Sequence, residues 1–67
     1  MKKNFIISVN NTEDINNVAK KLRDLGCKID TISSFSGIIT GSTELLLKEL
    51  EIEGVKYVEE EREVKEM

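Results

Sequence analysis

The stretch NFIISVNNTEDINNVAKKLRDLGCKID, residues 4–30, decides the fold. Phe5, Ile7 and Val9 recur at a period of two, the pattern of a half-buried strand. Asn11 or Thr12 then offers a helix N-cap, and Glu13 and Asp14 fall in the first turn, where the helix dipole favours acids. Ile15, Val18, Ala19, Leu22 and Leu25 follow at helical spacing, with Lys20, Lys21, Arg23 and Asp24 between them. Gly26 stands where a helix C-cap is expected. CKIDTIS, residues 27–33, then returns as a second strand.

Working outward, SFSG (34–37) reads as a turn, and Gly37 is free to take positive φ. GIITG (37–41) is a short third strand. Ser42 or Thr43 is placed to cap a second helix, TELLLKELEIEG (43–54), burying some of Leu45, Leu46, Leu47 and Leu50 and ending at Gly54. VKYVE (55–59) is the fourth strand. The chain has no proline, so no element is interrupted by one. The order β-α-β-β-α-β predicts an α+β, ferredoxin-like domain. Its four-stranded antiparallel sheet has the order 4-1-3-2, with both helices on one face. Strand four then lies at an edge, and residues 59–67 leave the sheet as an extended C-terminal tail. The other face stays open, with Ile6 and one of Ile38 and Ile39 pointing to it.

Composition narrows the function. The 67 residues make one domain, and a domain of this size buries only about 60% of its unfolded surface. One cysteine, Cys27, excludes an internal disulfide, and with no histidine there is no Ser-His-Asp or Cys-His set and no zinc site of the usual kind. Cys27, at the start of a strand, is read as a small packing residue. The four glycines are dispersed turn residues and form no phosphate-binding loop. The expectation is therefore no catalytic residue, no cofactor and no metal. Net charge is −3, from 13 acidic and 10 basic residues, and only three aromatics are present. Both features disfavour a nucleic-acid partner. The apolar run after Lys2 and Lys3 ends at Val9, too short for a secretory leader or a membrane span. A cytoplasmic monomer is expected, with secretion alongside a protease as the other possibility.

Three segments carry a resemblance. GCKI (26–29) resembles the G-x-K-V start of strand two in the propeptide domain of subtilisin-type serine proteases, a family that includes free-standing subtilisin inhibitors. FSGI (35–38) resembles that family's Gly-Phe hairpin before strand three. GVKYVEEE (54–61) is the most specific, resembling the closing V-x-Y-V-E-x-D signature with Glu61 in place of Asp. Ile38 stands where the family often has Phe, and Ser42 where a Leu usually closes strand three. The resemblance spans about residues 4 to 67.

The resemblance implies a free-standing inhibitor, and possible folding chaperone, of a subtilisin-like serine protease. Family members lay the open sheet face on two parallel surface helices of the enzyme. Glu59 and Glu61 would cap the N-termini of those helices, where unpaired N–H groups meet carboxylates well. The segment Val64, Lys65, Glu66 and Met67 would enter the substrate cleft like a product. Met67 would fill the primary pocket and Val64 the apolar pocket three residues earlier, with Lys65 and Glu66 nearer solvent. Without the resemblance, the acidic run reads as a solvated edge that discourages aggregation. The rival reading is a βαββαβ small-molecule-binding regulatory or dimerisation module.

Overall fold

Alternation along β1 (Lys3–Val9) separates two faces: Phe5, Ile7 and Val9 are buried, while Ile6 and Ser8 between them are half-buried. The structure, a computed structural model, describes residues 2–61. After β1 come α1 (Ile15–Asp24), β2 (Lys28–Ser33), β3 (Ile38–Thr43) and β4 (Val55–Glu61), with 3-10 turns at Thr12–Asp14 and Leu47–Leu50. The four strands form one antiparallel sheet in the order β2-β3-β1-β4, which reads 4-1-3-2 from the β4 edge. The domain is thus α+β, with an open four-stranded sheet and one α-helix among the described residues.

The helix begins and ends as its residues dictate. The Asn11 side chain accepts a hydrogen bond from the Glu13 N–H at 2.9 Å, opening the 3-10 turn that leads into α1. Ile15, Val18, Ala19 and Leu22 bury one stripe of the helix. At the far end the Cys27 N–H donates to the Leu22 carbonyl at 3.0 Å and the Gly26 N–H to the Arg23 carbonyl at 2.9 Å. This paired closure is the Schellman arrangement, and Gly26 takes the positive φ of +104° that it requires. Leu25 stops short of the buried stripe and is 42% exposed.

The expected second helix is not formed. β3 runs two residues further than the GIITG reading, and the proposed caps Ser42 and Thr43 pair with Asn4 and Lys3 of β1 instead. The buried Thr43 hydroxyl accepts the Leu45 N–H at 3.0 Å, and the Glu49 carboxylate accepts the Leu46 N–H at 3.0 Å. Side chains thereby satisfy backbone donors that would otherwise start a helix. Only a 3-10 turn, Leu47–Leu50, remains. The leucine pattern explains why nothing longer is favoured. Three consecutive leucines, Leu45 to Leu47, would spread over about 200° of an α-helix, so no single face holds them. Leu50 alone is fully buried, while Leu46 is 52% exposed.

The core joins Phe5, Ile7 and Val9 of β1 to the four buried residues of α1, with Cys27, Ile39 and Leu50. Gly41 of β3 lets the central layer close. A Cβ there would overlap the Lys28 carbonyl oxygen and stand 2.9 Å from the Phe5 ring. Both edge strands carry an irregularity, β2 around Asp30 and β4 around Lys56. Bulges and charges at an edge discourage pairing with another strand.

Candidate functional site

One face of the sheet has no element packed on it among the described residues, and the strand register fixes what it displays. Ser33, Ile38, Ser8 and Tyr57 lie in one row across the four strands. Thr31, Thr40, Ile6 and Glu59 lie in the next, and Lys28, Ser42, Asn4 and Glu61 in the third. Of the two isoleucines that open β3, Ile38 faces this open side and is half-buried, while Ile39 is fully buried on the other. The face is thus hydroxyl-rich, with Ile6, Ile38 and Tyr57 as its apolar points. Its charged residues stand at the edges: Lys28 and Asp30 on β2, and Glu59 and Glu61 on β4.

Glu59 and Glu61 pair with Ile6 and Asn4 of β1. Both therefore belong to the strand, which runs to Glu61 and not, as expected, only to Glu59. The reason is the length of β1, which starts at Lys3 and supplies partners as far as Asn4. Two residues apart on one strand, the two carboxylates share the open face at a spacing of about 7 Å. Glu60, opposite Phe5, alternates to the other side. Val64, Lys65, Glu66 and Met67, the residues assigned to the substrate cleft, lie outside the described residues.

A shallow depression of about 200 Å³ sits in the third row, between Lys28 and Glu61, with Asn4, Thr40 and Ser42 on its floor. A second, of about 330 Å³, lies on the helix side between Leu25 and Ile52, bordered by Lys21, Asp24 and Glu53. Cys27 is a free, buried thiol within the core cluster. Among the described residues no cluster of three or more potential ligands could hold a metal ion, and no helix is long and apolar enough to cross a membrane.

The sequence reading passed over two residues that the structure brings forward. Tyr57 joins the open face at the β4 edge and is 46% exposed. Phe35, in the turn between β2 and β3, is 100% exposed. Its signal was present in the sequence: a large aromatic flanked by Ser34, Ser36 and Gly37 has no strand or helix face to hide on. Comparison with protein-family profiles, with curated proteins and with solved structures found no match for this chain.

Proposed function

We propose that this chain is an inhibitor of a subtilisin-like serine protease, docking its open sheet face on the enzyme and placing its C-terminal segment in the substrate cleft. We read the fold as a ferredoxin-like βαββαβ unit whose second helix has shrunk to the Leu47–Leu50 turn. The observation that carries the proposal is the placement of Glu59 and Glu61. Both stand on the open face, on an edge strand, at the end from which the chain continues. That position suits carboxylates meant for a partner's helix N-termini, which offer unpaired N–H groups and partial positive charge.

In this reading Ile6, Ile38 and Tyr57 contact the surface between those helix ends. The segment from Val64 to Met67 adds to the cleft as an extended strand, Met67 in the primary pocket and Val64 in the apolar pocket before it. Lys65 and Glu66 remain nearer solvent. Such a segment occupies the site as a product does, so inhibition is competitive. A domain that binds only the native protease also stabilises it by mass action, which supports a folding-chaperone role.

The test is steady-state inhibition of purified subtilisin by the full chain and by a version lacking residues 64–67. The full chain is expected to compete with substrate, and the shortened chain to be weaker by about a hundredfold, the loss of two apolar anchors. A folded full chain that leaves the protease active overturns the reading. A small-molecule or dimerisation module would keep its activity without those residues.

A further inference from the structure

The turn between β2 and β3 displays Phe35 fully exposed, yet the turn itself is well tied. The Ser36 hydroxyl donates to the Ser33 hydroxyl at 2.8 Å, and the Gly37 N–H donates to the Ser33 carbonyl at 2.8 Å. Gly37 takes a positive φ of +72°, and its carbonyl accepts the Val9 N–H at 2.9 Å. The last contact anchors the turn to the end of β1. An aromatic side chain carried on a pre-ordered turn loses little backbone freedom when a partner buries it. Phe, like Tyr and Trp, is enriched at protein interfaces relative to the rest of the surface.

Position matters as much as exposure. The Phe35 turn adjoins Val9 at one end of β1, while Glu61 pairs with Asn4 at the other. Along the strand these ends are about 17 Å apart. Phe35 and Glu61, the last described residue, therefore stand at opposite ends of the same sheet. Four strands of this length give a face of about 400 Å² in footprint, roughly half of what one partner contributes to a stable interface. A partner seated on this face needs further contacts at its ends. The bulged, charged edges disfavour a second copy adding strands to the sheet. A net charge of −3 and a turn without a basic residue disfavour an anionic bilayer.

Resting on the protease reading, we propose that Phe35 is a second anchor. It enters an apolar pocket on the protease surface, outside the substrate cleft and at the far end of the interface from the C-terminal segment. The chain then holds the enzyme at two separated points with the open face between them.

The experiment measures inhibition of purified subtilisin by the parent chain, Phe35→Ser and Phe35→Leu, with a thermal melt of each. Phe35→Ser is expected to raise the inhibition constant about tenfold or more. Phe35→Leu, which keeps an apolar side chain, should stay within about threefold of the parent. All three should melt alike, because the ring touches no core. Combined with removal of residues 64–67, the Phe35→Ser loss should multiply with the truncation loss, as for separate sites. A parent that inhibits and a Phe35→Ser variant that inhibits equally well overturn the anchor and leave the protease reading intact. A folded parent that does not inhibit overturns both. The anchor also falls if the inhibition constant is unchanged and Phe35→Ser abolishes either flotation with zwitterionic lipid vesicles or a dimer seen by sedimentation.

Discussion

Gly41 shows how much a single absent side chain decides. Its neighbours are backbone atoms of Lys28 and Ile29 in β2 and the ring of Phe5 in β1, and the two backbone neighbours cannot step aside without moving the strand that pairs with β3. Gly41→Ala is therefore expected to destabilise by about 3 kcal/mol, at the upper end for overpacking, measured as a lower midpoint in urea. Gly26→Ala meets open space and should cost only the left-handed backbone, about 1–2 kcal/mol. If the two cost the same, close packing at Gly41 is not what the glycine serves. The carboxylates call for a different readout. Glu59→Gln with Glu61→Gln keeps shape and removes charge, so the melt should hold steady. Inhibition should weaken by about tenfold, given about 0.3–1 kcal/mol for each charge at a helix end, and its sensitivity to salt should fall. At this scale the sequence was largely legible. The period-two alternation placed Phe5, Ile7 and Val9 inside and Ile6 outside, and the same period puts Glu59 and Glu61 on one face. The need for glycine at 41 was not legible, because it arises from the close approach of the neighbouring β2 backbone at Lys28 and Ile29, next to the irregularity at Asp30, a contact between strands that no local pattern encodes.

At the level of elements, the two crossovers differ in how far local signals agree. Residues 11–27 agree throughout: a capping Asn11, one clean apolar stripe, and Gly26 to close. Residues 43–54 have good helix formers but a conflicted pattern, and the strand claims their caps. Propensity alone cannot foresee this, since Thr43 is both an acceptable cap and a good strand residue. The outcome is testable through Leu46 and Leu50, which an α-helix would stack at i and i+4 on one face. In the 3-10 turn Leu50 is fully buried and Leu46 is half exposed. Leu50→Ala should cost about 2–5 kcal/mol, and Leu46→Ala no more than about 0.5 kcal/mol. Denaturant titration of the two variants checks this, and equal costs would restore the second helix.

For the whole molecule, small size links stability to how long the proposed inhibition would last. A chain of 67 residues, with ten buried hydrophobic residues among those described, is expected to have a folding free energy of about 3–10 kcal/mol. A protease that binds only the folded form adds about 2.7 kcal/mol at a concentration one hundred times the dissociation constant. The same protease digests whatever fraction of the chain opens, and when opening is fast that fraction follows the equilibrium free energy. The core and the open face proposed for docking lie on opposite sides of the sheet, so the two properties should separate. Ile15→Val trims a residue that is fully enclosed on the helix side and should cost about 1 kcal/mol. Its initial inhibition constant should match the parent's, while protease activity should return about fivefold sooner in a progress curve. Phe35→Ser should do the reverse, weakening initial inhibition without raising the open fraction. A change in the Ile15→Val inhibition constant as large as the change in lifetime would mean that the open face is not a rigid surface held by the core behind it. The domain would then order its docking face only against the partner.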